Sequence, residues 1–174
     1  METTSPILVV DDERDMPDLM QMKFRRQIRN QELSFLFAQN GQAALEILRQ
    51  HPEISVVLAD INMPGMDGLT MLNKIHEEGN VGQIFQFVKV VIITAYNDMK
   101  NIRKAMNYGA FDFLTKPLDF EDLNITIKKT LYEVGKLQEL DRQRREELKK
   151  RLEAEQALQG IDKSQLYEIL ERHI

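Results

Sequence analysis

Short apolar or β-branched runs recur along the chain at residues 7–10, 33–38, 56–59, 88–93 and 111–114, each followed by polar or glycine-bearing turn material. Runs of this length, bounded in this way, read as five strands. Between them the apolar positions change to a spacing of three and four. Leu19, Met20, Met22 and Phe24 follow the first run, Ala43, Ala44, Ile47 and Leu48 the second, Leu69, Leu72 and Ile75 the third, and Ile102, Ala105 and Met106 the fourth. That spacing lines one face of a helix, so strand and helix alternate. The alternation predicts an α/β, doubly wound, five-stranded parallel sheet with helices on both faces. The unbroken apolar character of the third and fourth runs suits central strands buried on both sides. The stretch 78–87 (EGNVGQIFQF) reads as an extended surface loop, whose Ile84, Phe85 and Phe87 either cap the core or meet a partner.

From about Phe120 the pattern turns helical, with Leu123, Ile127, Leu131 and Val134 at spacings of three and four. Gly135 is a weak break, but residues 136–159 contain no proline and are dominated by strong helix formers, which predicts a continuous helix to about Gln159. The pairs Asp141/Arg145, Glu146/Lys150 and Glu147/Arg151 place an acid four residues before a base, the favourable order on an exposed helix. Leu137, Leu140 or Asp141, Arg144, Leu148, Leu152 and Leu158 form a heptad stripe broken by polar residues. A homodimeric coiled coil and a solvated single helix both fit it. Gly160 reads as a stop, after which Asp162 or Ser164 caps a short helix with Leu166, Tyr167, Ile169 and Leu170 on its apolar side.

The chain's 174 residues hold one domain and an appendage, and 43% hydrophobic content is enough to build a core. A net charge of −5 opposes a general nucleic-acid-binding role. The basic residues Arg142, Arg144, Arg145, Lys149, Lys150 and Arg151 are balanced by neighbouring glutamates and read as a solvated face. The absence of cysteine excludes disulfides and thiolate metal sites. The start METTSPILVV has no targeting pattern and no segment is apolar for long enough to span a bilayer, so cytoplasmic residence is the expectation. His51, His76 and His173 are widely separated and lack ligand spacing.

In doubly wound sheets ligands bind beyond the carboxyl ends of the strands. Those ends carry Asp11 and Asp12 after the first run, Asp60 after the third, Thr94 after the fourth and Lys116 after the fifth. Any one of these residues alone is ordinarily a helix cap or turn residue; their coincidence at one rim points to chemistry. Several carboxylates together repel one another unless a hard cation neutralises them, and an all-oxygen donor set suits Mg²⁺. A carboxylate beside Mg²⁺ can attack a phosphoryl group, with Lys116 and the Thr94 hydroxyl taking up charge on the phosphoryl oxygens. The product is an aspartyl phosphate.

These residues resemble the receiver domain of two-component response regulators. The likeness rests on VVDD at 9–12, DINMPGMDG at 60–68, ITA at 93–95 and FDFLTKP at 111–117, and spans roughly the first 120 residues. It implies a flavodoxin-like fold, Asp60 as phosphoacceptor, Asp11, Asp12, Asp60 and the backbone carbonyl of Asn62 as Mg²⁺ ligands, and Lys116 and Thr94 as catalytic partners. It implies a switch in which Thr94 moves toward the phosphoryl group and Phe113 follows inward. It further implies that Pro64 begins the loop into the next helix and that Lys116–Pro117 is a cis peptide. Tyr96, two residues past Thr94, borders the phosphoryl site in the family, and its bulk suggests slow hydrolysis.

The expected organisation is a receiver at 1–120, its last helix continuing at 121–159, and a short helix at 160–174. A sensor histidine kinase is the implied phosphodonor. Output through a protein partner is expected, because no effector segment is visible after the receiver. Two rival readings remain: a phosphorylation-independent dimeric scaffold, and an aspartate-nucleophile phosphatase of the haloacid dehalogenase type. The latter is opposed by Asn62, which stands where that family has a second acid.

Overall fold

The computed structural model describes residues 5–81, 85–95 and 98–159. Five strands, β1 (Ile7–Val10), β2 (Phe35–Ala38), β3 (Val56–Asp60), β4 (Lys89–Ala95) and β5 (Asp112–Lys116), form one parallel sheet in the order β2-β1-β3-β4-β5. The helices are α1 (Met16–Lys23), α2 (Arg25–Arg29), α3 (Gly41–Gln50), α4 (Gly68–Val81), α5 (Met99–Asn107) and α6 (Phe120–Gln159). The chain leaves β1 toward β2 on one side and later builds β3, β4 and β5 on the other. The carboxyl ends of β1 and β3 therefore flank the point where strand order reverses, the usual ligand crevice of an open α/β sheet.

Alternation along the strands divides the core in two. Leu8, Val10, Val57, Ala59, Val90 and Ile92 turn to one face and pack with Leu45 and Leu48 of α3, Met71, Leu72 and Ile75 of α4 and Ala105 of α5. Ile7, Val9, Val56, Leu58, Val91 and Ile93 turn to the other, against Met16 and Met20 of α1, Phe24, and Leu123, Ile127 and Val134 of α6. Strands covered on both faces explain why their sequences are continuously apolar.

Local chemistry starts the helices where the sequence requires. The Asn40 side chain accepts the Ala43 N–H at the head of α3, Asp98 accepts that of Asn101 for α5, and Asp119 accepts those of Glu121 and Asp122 for α6. Two expectations need correction. Phe24, expected on the helix after β1, lies instead between α1 and α2: its backbone (φ −103°, ψ 15°) leaves the helical range while its ring is buried near Phe35 and Phe120. The stretch expected as a loop at 78–87 is helical as far as Val81, and Phe85 is buried in the core. Phe87 is half-buried, and Ile84 lies outside the described residues.

The chain divides into two units, Met1–Val134 and Gly135–Ile174. In the second, the described part of α6 is largely exposed, with Leu137, Leu148 and Leu152 half-buried. Arg145 pairs with Asp141 at 2.6 Å, as the spacing predicts. Glu146, expected to meet Lys150, is held instead by Arg142 at 2.8 Å, and Arg142 also binds Glu139 through two nitrogens. The expected stop at Gly160 and the short helix after it lie outside the described residues.

Candidate functional site

Asp11 is the first residue beyond β1, anchored by its N–H donating to the Ala38 carbonyl at 3.0 Å. Its carboxylate is buried and accepts the Glu13 N–H at 2.8 Å. Asp60 is the last residue of β3 rather than the first beyond it; it too is buried, and its Oδ1 accepts the Asn62 N–H at 3.1 Å. Asp12 is exposed. One carboxylate oxygen from each of the three acids falls within 4.8 Å of the others.

Lys116, the last residue of β5, extends its ammonium into this cluster. Nζ donates to Asp60 Oδ2 at 2.7 Å and Glu13 Oε1 at 2.7 Å, with Asp11 Oδ2 at 3.4 Å. Burial works against its charge, but the hydrogen bonds to Asp60 and Glu13 and the field of the acids prevail and raise its pKa above the ordinary lysine value. Burial pushes the Asp11 carboxyl up from its usual value, and the charges of Asp60 and Glu13 push the same way. The Glu13 N–H and Lys116 oppose this without cancelling it.

The cluster therefore carries more negative charge than one ammonium offsets. Its donors are all oxygen, and one carboxylate is partly disfavoured as an anion, so the residues fit a hard divalent cation held by Asp11, Asp12 and Asp60.

Thr94 is the penultimate residue of β4. The β3–β4 register pairs Asp60 with Ile93, and the β4–β5 register pairs Ala95 with Lys116. These two pairings bring Thr94 to the same rim. Its side chain is fully buried and its Oγ1 has no hydrogen-bond partner among the described residues. Phe113 pairs with Ile92, lower on the sheet, and is 38% exposed, so it is not part of the acid cluster. Lys116–Pro117 is cis. Tyr96 lies outside the described residues.

Two glycine N–H groups help to fasten the loop between β3 and α4, whose Ile61 N–H also donates to the Ile93 carbonyl at 3.2 Å. The Gly68 N–H donates to the Ile61 carbonyl and the Gly41 N–H to the Met66 carbonyl, both at 3.0 Å. A Cβ on Gly68 would lie 2.2 Å from the Asp60 carbonyl oxygen, so only glycine permits this approach.

Glu13 was not anticipated among the site residues. Its position directly after the acidic pair was the available signal, but a third acid in a row reads as the polar start of a turn until Lys116 is seen to reach it.

Residues 7–128 match the response regulator receiver domain family. The regulatory protein AtoC of Escherichia coli (strain K12) is 33% identical over 134 residues, 75% of this chain and 26% of that protein. Sporulation initiation phosphotransferase F of Bacillus subtilis (strain 168) is 30% identical over 126 residues, 72% of this chain and 92% of that one. The crystal structure of the signal receiver domain of an HD domain-containing protein from Pseudomonas fluorescens Pf-5 superposes with a TM-score of 0.68 at 26% identity, covering 80% of this chain and 96% of that one. With this match along its sheet and acidic rim, the chain belongs to the receiver domains of two-component response regulators, regulatory domains that accept phosphoryl groups from histidine kinases. The chain spans about a quarter of the length of AtoC, 26%. No described helix is long and apolar enough to cross a membrane.

Proposed function

We propose that Asp60 accepts a phosphoryl group from the phosphohistidine of a sensor histidine kinase and that the resulting change at Thr94 and Phe113 controls a protein partner or dimerisation. The observation that carries the proposal is the contact of Lys116 Nζ with Asp60 Oδ2 at 2.7 Å inside a cluster of three aspartates. A carboxylate oxygen of Asp60 forms the new bond to phosphorus as the phosphorus–nitrogen bond of the donor breaks. The electron pair stays on the imidazole nitrogen, which takes up a proton. Lys116 orients Asp60 and then offers its N–H groups to the incoming phosphoryl oxygens. The buried Thr94 hydroxyl, without a partner among the described residues, gains an acceptor when a phosphoryl oxygen arrives, and this gain biases one of two surface states. Mg²⁺, held by Asp11, Asp12, Asp60 and the Asn62 carbonyl, would supply charge neutralisation during transfer.

The half-buried Leu137, Leu148 and Leu152 of α6 support homodimerisation through that helix as one output. We place the protein in the cytoplasm, where a kinase would meet it.

The test is the intact mass of the wild-type chain and of Asp60→Asn after exposure to acetyl phosphate, with Mg²⁺ and with chelator. A single phosphoryl adduct that requires both Asp60 and Mg²⁺ is expected. No adduct under any condition would overturn the reading and leave a scaffold built on α6.

A further inference from the structure

We propose that the outer edge of β2, with the pocket beside it, is a docking site for an extended acidic segment of a partner protein. The site is separate from Asp60 and does not depend on its phosphorylation.

The first observation is the direction of the β2 main chain. The Ile7 N–H donates to the Ser34 carbonyl at 2.8 Å and the Asp11 N–H to the Ala38 carbonyl at 3.0 Å. In a parallel ladder the N–H and C=O of one residue point to the same side and alternate from residue to residue. Ser34, Leu36 and Ala38 therefore turn toward β1, while Phe35 and Phe37 present their N–H and C=O groups outward, since β2 is the terminal strand of the sheet. Edge strands are commonly protected by charged residues, proline or a bulge. The edge strand β5 carries Asp112 and Lys116, whereas β2 reads FLFA and carries no charge.

The second observation is what borders that edge. A cavity of about 440 Å³ is lined by Ile28, Phe35 and Phe37 and rimmed by Arg25, Arg29 and Gln21. That volume is within the range of specific binding pockets and accepts one bulky apolar side chain with room to spare. Positions 23–29 hold Lys23, Arg25, Arg26 and Arg29, a cationic run in a chain of net charge −5. Lys23 lies over the Phe120 ring, 5.1 Å from its centroid. The exposed Arg25, Arg26 and Arg29 have no acidic partner among the described residues, whereas Arg49, Arg142 and Arg145 each do.

An open main-chain edge, an apolar pocket and guanidinium groups with no acidic partner among the described residues together fit a strand-like segment. Its backbone bonds to Phe35 and Phe37, one apolar side chain enters the pocket, and its carboxylates meet Arg25 and Arg29. A small anion would leave the strand edge unused. A nucleic acid would meet the net negative charge of the rest of the chain and would gain nothing from outward N–H and C=O groups.

The experiment uses the full chain and a fluorescent peptide alternating glutamate with valine, against the same peptide with lysine for glutamate and against poly(U) RNA, at about 0.15 M salt. Binding is followed by anisotropy, and amide hydrogen exchange is read at Phe35 and Phe37. Saturable binding of the glutamate peptide is expected, with slowed exchange at those two amides. Arg25→Glu with Arg29→Glu should weaken it by roughly tenfold or more, and the milder Arg25→Gln with Arg29→Gln by less. Asp60→Asn should leave it unchanged. The proposal is overturned by no binding, by equal binding of the lysine peptide, by binding without slowed exchange at Phe35 and Phe37, or by tighter binding of the RNA. Unchanged affinity in both arginine variants also overturns it, whether or not Asp60 accepts phosphate.

Discussion

Lys116 Nζ and Asp60 Oδ2 stand 2.7 Å apart although 56 residues separate them in the chain. Glu13 holds the same ammonium at 2.7 Å from the opposite side of the sequence. One lysine thus serves three acids, and any added cation competes with it for them.

Lys116→Ala should therefore have two effects of opposite sense. Mg²⁺ affinity should rise, because the competing internal cation is gone, while the rate of phosphoryl gain should fall by about 10²–10³, as when one donor to a developing anion is deleted. Thermal shift against Mg²⁺ concentration reads the first, and timed intact-mass measurements the second. A parallel fall in both would count against competition.

Thr94 offers a separation of stability from response. Its buried hydroxyl has no partner among the described residues, so Thr94→Val should raise the urea midpoint, by about 1 kcal/mol in stability, because an unmet polar group is removed with little change of shape. The same variant should still take up phosphate at Asp60 and should lose most of the accompanying change in the amide spectrum of β4 and β5.

Gly65, in the loop after Asp60, and Gly68, at the start of α4, should respond differently to alanine. At Gly68 the new methyl carbon would sit 2.2 Å from the Asp60 carbonyl oxygen, so backbone must move, at a cost of about 1–3 kcal/mol and with slower phosphoryl gain. At Gly65 the space is open and only the positive φ of 76° is strained, a cost of about 1–2 kcal/mol without displacement of Asp60. Urea denaturation with phosphorylation rates on both variants checks the contrast.

Phe85→Ala should destabilise the chain by about 3–5 kcal/mol, because it empties a buried core position. Phe113→Ala, at a side chain 38% exposed, should cost about 1 kcal/mol or less and should impair the response to phosphorylation instead. Equal losses of stability in the two variants would contradict this assignment.

Ending the chain after Val134 should leave a cooperatively folding receiver that still gains phosphate on Asp60, since the buried residues Leu123, Ile127 and Val134 of α6 are retained. If α6 carries dimerisation, the shortened chain should sediment as a monomer at concentrations where the full chain does not.

The strands and the acidic rim were legible because burial on both faces demands continuous apolar runs, and because acids at strand ends have few other reasons to coincide. Other features depended on contacts distant in sequence. The break at Phe24 coincides with its ring contacts to Phe35 and Phe120, which no local spacing encodes. The helical course of residues 78–81 was obscured by Gly79, which reads as a breaker, yet a Cβ there would meet only ordinary contacts with Phe85. Arg142 had two acids within reach, Glu139 and Glu146, and spacing alone does not rank geometries of similar energy. Glu13 became visible only once β5 delivered Lys116 to the far side of the rim.

The glycine fastenings of the loop after Asp60, at Gly68 and at Gly41, bear on entropy. A segment already ordered before a phosphodonor arrives need not lose conformational freedom during transfer, so the barrier is relieved of that contribution. The temperature dependence of phosphoryl gain should accordingly be dominated by activation enthalpy, and loosening either fastening should show first as a more negative activation entropy.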